Sequence, residues 1–253
     1  MIPIRDDVPA RGIPLVNVGL IAVNALFFFF ELSLGDRELQ RFIRQAGVVP
    51  AVFFANPRIA TLGDLVASAL SPVLETRVFL SMFLHGGWAH LLGNMVYLWV
   101  FGDNVEDRMG HFRYLVFYLL CGWIATFTHI VSNPLSRLPS IGASGAIAGV
   151  LGAYIALYPR ARVYTLVPLL LFWPVVQFPA FLFLGFWFLE QFLLGAMSTF
   201  AVETAQTGGV AVWAHIGGFL SGLALVGIFQ DPQRRPPPRD AWWEYTQRRP
   251  ARW

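Results

Sequence analysis

Read from its N-terminus, the chain alternates between long apolar runs and short clusters of charge, Pro or Gly. The first run, Ile13 to Leu34, is long enough for a helix to cross a bilayer, which takes about 20 residues. Further runs at 90–107, 112–131, 142–158 and 211–229 are each bounded by charge, Pro or Gly. Residues 163–200 are almost continuously apolar, yet they contain Pro168, Pro174 and Pro179 and the polar pair Glu190 and Gln191. Because Pro removes a helix hydrogen bond, this stretch divides into an interfacial or irregular piece at 163–175 and a helix at 177–197. Six spans result. Between the first two, residues 35–88 are too polar to span, and their apolar patches VVPAVFF and RVFLSMFL predict helices lying in the membrane interface.

The pattern divides the chain into a short N-terminal segment, 1–12, a membrane domain, 13–230, with its long first loop at 35–88, and a tail, 231–253. The N-terminal segment carries Arg5, Asp6, Asp7 and Arg11 and no small-residue cleavage site, which fits a retained signal anchor. The tail, DPQRRPPPRDAWWEYTQRRPARW, reads as extended or disordered, with Trp242 and Trp243 suited to the headgroup layer.

Composition strengthens the membrane reading. Hydrophobic residues make up 56% and charged residues 13%, against roughly 45–50% and 25% in an ordinary soluble domain. This excess cannot be hidden in a core of this size. It excludes a soluble globule, a disordered chain and a disulfide-stapled module, and the single cysteine, Cys121, reads as inert packing. Every basic residue is Arg. With both termini on the cytoplasmic side, twelve Arg fall inside and six outside, five of those in the long loop, where they count for least. The expected topology is therefore N-in and C-in, in a cell membrane, with a bacterial plasma membrane as the expected location.

Polar side chains at membrane depth are costly and mark function. They concentrate in HGGWAHLLGN, with His85, His90 and Asn94, in SIGASGAIAG, with Ser144, and in WAHIGGFLSG, with His215. In the N-in topology the second, fourth and sixth spans run in the same direction, so His90, Asn94, Ser144 and His215 fall at one depth. Gly145 and Gly149, and Gly218 and Gly222, form small-xxx-small patterns that let helices pack closely. His215, Gly218 and Gly222 share one face, so a neighbour touching those glycines also meets the imidazole. If that neighbour is the fourth span, Ser144 and His215 can meet. A Ser needs an adjacent base, most often His, and acyl transfer needs donors for the oxyanion. His90 and Asn94, four apart on a helix, together with the Ser144 N–H, suit that role. No acidic residue is placed to orient His215, so the pattern reads as a dyad. His85 reads as a structural loop residue, and Glu190 and Gln191 as buried hydrogen-bond partners.

HGGWAHLLGN, GASG and AHIGGFLSG resemble the three signature segments of the rhomboid family of intramembrane serine proteases, and the resemblance covers about residues 10–230. It implies an all-α, polytopic, six-transmembrane-helix bundle in which Ser144 is the nucleophile, His215 the general base, and His90 and Asn94 assist at the oxyanion. It further implies cleavage of membrane-anchored protein substrates within the lipid bilayer, with no metal and no cofactor. Some bacterial members carry a Tyr one turn after the serine that packs on the histidine; here that position is Ala148. Two rivals remain: a catalytically inactive rhomboid-like binder of membrane helices, and a transporter, which would place its polar groups nearer the midplane. No HExxH motif is present, and neither Asp64 nor Asp103 lies in an apolar helical pair. The Arg-rich tail reads as an anionic-lipid contact and not a nucleic-acid site. The sequence does not read out an oligomeric state.

Overall fold

The computed structural model describes residues 1–55, 64, 72–169, 172–200 and 211–234. Nine helices are named among them: α1 (Leu15–Ser33), α2 (Asp36–Ala46), α3 (Pro50–Phe54), α4 (Pro72–Ser81), α5 (Trp88–Met109), α6 (His111–Ser132), α7 (Ser144–Leu157), α8 (Ala180–Phe200) and α9 (Val212–Phe229). Helices stand at all six positions where spans were expected. Four of them, α1, α6, α8 and α9, are long and apolar enough to cross a membrane. The other two differ for physical reasons. The last two turns of α5 carry Asp103, Glu106, Asp107 and Arg108, and α7 has only 14 residues, about 21 Å of helix. The loop after α1 contains α2, α3 and α4; α3 falls within the first apolar patch and the end of α4 within the second, whereas α2 lies outside both. Most of the tail, from 235 on, lies outside the described residues.

The all-α expectation needs one correction. Ile2–Asp6, Arg162–Leu166 and Val175–Pro179 form an antiparallel sheet, β1–β2–β3, in that order. Ile2 pairs with Leu166 and Asp6 with Val163, while Arg162 pairs with Pro179 and Leu166 with Val175. The stretch read as irregular therefore holds nearly all of β2 and the first residue of β3, and α8 starts three residues later than expected because 177–179 belong to β3. At the end of a helix bundle, chain leaving the helices must still satisfy its backbone polar groups, and a small sheet does so.

The acidic end of α5 holds this part of the molecule together. Glu106 accepts the N–H groups of Val16 and Asn17 at 3.0 and 2.8 Å, so it satisfies the otherwise unpaired start of α1. Asp107 accepts the N–H groups of Arg11 and Gly12. Asn104 Nδ2 donates to Asp6 Oδ2 at 2.9 Å, and Tyr154 Oη donates to the same oxygen. Burial, with Asp103 nearby, raises the Asp6 carboxyl well above the usual carboxylate range. Arg108 bonds Gln230 at 2.8 Å and the carbonyl of Arg234, just past α9. The N-terminal segment is thus a docked strand and clamp. At the other end of α1, the buried Glu31 accepts the His85 N–H just before α5, at 3.1 and 3.3 Å. Helix α1 is fixed to α5 at both ends.

Every residue from Gly145 to Tyr154 of α7 is buried, which makes α7 the central helix. It meets α9 backbone to backbone. A Cβ built on Gly218 would stand 2.0 Å from the Gly145 carbonyl oxygen, and one on Gly222 would stand 1.9 Å from that of Gly149. Gly149 also lies against Cys121 of α6, which is buried. Because the obstacle at Gly222 is backbone, no side-chain rotation relieves it. Gly222→Val therefore lowers thermal stability in detergent by at least the ~1–3 kcal/mol typical of core overpacking. An unfolding midpoint equal to the parent's would mean that this face of α9 does not carry the contact.

Candidate active site

Helix α7 begins at Ser144, immediately after a loop whose path is fixed by the first-loop segments. Val48 and Ser140 exchange backbone hydrogen bonds at 3.2 and 2.7 Å, and the Gly142 N–H donates to the Ser81 carbonyl at 2.8 Å. Gly142 has φ +123°, a conformation that L side chains rarely adopt, and a Cβ there would lie 2.7 Å from His90 Nε2. As the first residue of α7, Ser144 has a backbone N–H with no intrahelical acceptor, at the positive end of the helix dipole.

Three helix N-termini converge here. Ser144 Oγ lies 2.8 Å from His215 Nε2. His215 stands in the first turn of α9, buried, one turn before Gly218. Ser144 likewise directly precedes Gly145, so the pair sits one step beyond the glycine contacts that join the two helices. His90 and Asn94 come from the first two turns of α5, and all four side chains line one cavity of about 680 Å³ that runs inward past Ala148 toward Tyr97 and Leu151. His90 Nδ1 accepts the Gly86 N–H at 3.3 Å, which puts the proton of the neutral ring on Nε2 as a donor. Asn94 is buried, and its Nδ2 has no hydrogen-bond partner among the described residues. A buried amide donor left unmatched is costly unless another group serves it.

His85 is not part of the cavity wall. Its ring packs edge-on to His90 at 5.1 Å, and its Nδ1 lies 3.3 Å from the Phe83 carbonyl oxygen. Burial, reinforced by His90, lowers its pKa to about 4. This is the loop role expected for it.

The support of His215 comes from α8. Gln191 Oε1 lies 2.7 Å from His215 Nδ1, and the Trp187 ring stands 5.8 Å from the imidazole. Ala148, fully buried, leaves room at the place where a Tyr would otherwise pack. Of the polar pair on α8, Gln191 is buried, as expected, whereas Glu190 is exposed. The sequence signal for Gln191 was an amide inside an apolar span; its partner became visible only once α8 was placed beside α9. Among the described residues, no group of His, Cys, Asp or Glu is arranged to hold a metal.

The rhomboid domain family profile matches residues 75–231. The chain belongs to the rhomboid family. It is a multi-pass membrane protein, mostly helical. It is 29% identical to the zebrafish (Danio rerio) protein named presenilin-associated rhomboid-like protein A, mitochondrial, over 72% of this chain and 46% of that one. The human presenilin-associated rhomboid-like protein, mitochondrial, is 29% identical over 82% of this chain and 46% of its own length. A protein of Toxoplasma gondii named rhomboid-like protease 5 is 33% identical over 69% of this chain and 19% of its own. The chain thus spans about half or less of the length of these curated relatives. One of the three names contains the word protease.

The contact between Gly142 and His90 makes a prediction about the serine loop. Gly142→Ala combines a strained φ with a clash against the imidazole, so it destabilises the folded chain by more than about 1 kcal/mol. Thermal unfolding in detergent measures it. A midpoint unchanged from the parent would mean that the loop shifts freely and does not fix Ser144.

Proposed function

We propose that the chain is an intramembrane serine endopeptidase, which cuts membrane-anchored proteins within their transmembrane segments by a Ser144–His215 dyad. The observation that carries this reading is the 2.8 Å approach of Ser144 Oγ to His215 Nε2 inside a cavity that also holds His90 and Asn94. In the proposed reaction, Ser144 attacks the scissile carbonyl as His215 Nε2 takes its proton, forming the C–O bond of a tetrahedral intermediate. The negative oxygen is met by the Ser144 N–H, Asn94 Nδ2 and His90 Nε2–H, donors from residues that line the same cavity. Collapse breaks the C–N bond, and the imidazolium returns its proton to the leaving amine. A water, deprotonated by the same Nε2, then hydrolyses the acyl-enzyme and restores Ser144. The chemistry needs neither metal nor cofactor.

In this reading six helices cross the bilayer. Helix α7, about 21 Å long against a hydrocarbon core of roughly 30 Å, crosses by starting below the outer surface, which sets Ser144 within the outer leaflet. Both termini face the cytoplasm, and the membrane is a cell membrane, in a bacterium the plasma membrane; the presenilin-associated relatives carry the word mitochondrial in their names. Water reaches the site from the extracytoplasmic side. The backbone of a substrate helix is bonded internally, so it unwinds locally before its carbonyl is exposed.

The test is cleavage of a transmembrane reporter by the purified chain. Ser144→Ala and His215→Ala each abolish cutting while the bundle stays folded, and Asn94→Ala slows it about tenfold to 10³-fold. Near-parental cutting by folded Ser144→Ala would overturn the dyad, and no cutting by the parent would favour the helix-binding reading. Mass spectrometry of the products places the cut near the extracytoplasmic end of the substrate helix, beside small or helix-breaking residues. A cut near the cytoplasmic end would overturn the orientation.

A further inference from the structure

The amide of Gln191 is an expensive group to bury in an apolar helix, and its position is specific. On α8, Trp187, Gln191 and Gly195 are spaced by four and share one face. That face lies on α9: a Cβ at Gly195 would come within 3.2 Å of Ile216 Cδ1 and 3.4 Å of Val212 Cγ1. The small residue lets α8 approach the start of α9, and the two side chains before it reach the imidazole. Trp187 lies against the ring at 5.8 Å with the planes tilted by 34°, and Gln191 Oε1 meets Nδ1 at 2.7 Å. Gln191 and His215 are both buried.

A carbonyl oxygen can only accept a hydrogen bond, so Nδ1 must carry the proton. A neutral imidazole with its proton on Nδ1 has a bare Nε2, and that atom is the one facing Ser144 Oγ. The opposite tautomer would present an N–H to the serine and could not take its proton. Among the described residues, Gln191 supplies the hydrogen bond on Nδ1. Buried and uncharged, the amide fixes orientation and tautomer without the negative charge that a carboxylate would add.

We propose that Gln191 is the positioning residue of the site, holding His215 in the tautomer whose bare Nε2 faces Ser144. Its role is that of a third member beside the serine and histidine. It acts through His215 and does not touch substrate. The proposal rests on the dyad reading for its effect on rate, but its effect on the imidazole can be measured separately.

The experiment uses the full chain in detergent micelles, labelled with 15N-histidine, with the parent compared with Gln191→Met and Gln191→Glu. The His215 signals are identified by their loss in His215→Ala. In the parent the Nδ1 resonance is that of a protonated nitrogen and the Nε2 resonance that of a bare one. Gln191→Met, close in shape but without the carbonyl, loses this preference, and kcat for a transmembrane reporter falls about tenfold to a hundredfold with KM unchanged, as for a misplaced catalytic group. Gln191→Glu, which keeps an acceptor in place, restores the tautomer and most of kcat. If the Met variant does not fold, Gln191→Leu serves in its place. A folded Met or Leu variant with the parental tautomer and parental kcat overturns the proposal. A tautomer change between the parent and the Met variant, with a parent that cuts nothing, supports the positioning role while the protease reading fails; a parent that cuts, with a Met variant indistinguishable from it, removes the positioning role alone.

Discussion

The close approach of α7 and α9 is the constraint on which the rest of the structure depends. In a bilayer, lipid tails are as apolar as any leucine, so helices gain nothing from merely hiding side chains and associate through packing at short range. The carbonyls of Gly145 and Gly149 stand where side chains of α9 would otherwise be, and Gly218 and Gly222 leave that space empty. Helix backbones this close place the residues at their ends in a fixed relation. Ser144 and His215 occupy the next position along the contact, which brings two side chains 71 residues apart in sequence to 2.8 Å. The geometry of the pair is therefore set by packing below it.

Two further devices locate the remaining parts of the cavity. Helix α5 supplies His90 and Asn94, and its position is fixed by bonds to α1 at both ends, through Glu106 at one and Glu31 at the other. Both side chains accept backbone N–H groups, and at Glu106 these are donors that the start of α1 would otherwise leave unpaired. The serine loop is held by backbone bonds to Val48 and Ser81, so the first loop contributes to the site through its backbone. Helix α8 closes the arrangement by presenting Trp187 and Gln191 to the imidazole.

Much of this was legible in the sequence. The helices fall within three residues of the expected spans at every end, because charge, Pro and Gly bound each apolar run. The glycine spacing showed that Ser144 and His215 could meet if the fourth span packed on the sixth, and in the structure it does. What escaped was set by tertiary contact. The strands at 2–6 and 162–166 are each five residues long, too short for alternation to stand out beside Pro and charge. Gln191 was visible as a buried amide, but only the approach of α8 at Gly195 reveals His215 as its partner. Glu106, Asp107 and Arg108, at the charged end of the second span, also fix the start of α1 and the end of α9, which no local pattern announces.

The most direct test of the central claim, that packing of α7 on α9 creates a nucleophilic serine, is to treat the purified chain with a fluorophosphonate and map the modified residue by mass spectrometry. The account predicts a single adduct on Ser144 that disappears in His215→Ala. An adduct on any other serine, or one on Ser144 that forms equally well without His215, would contradict it.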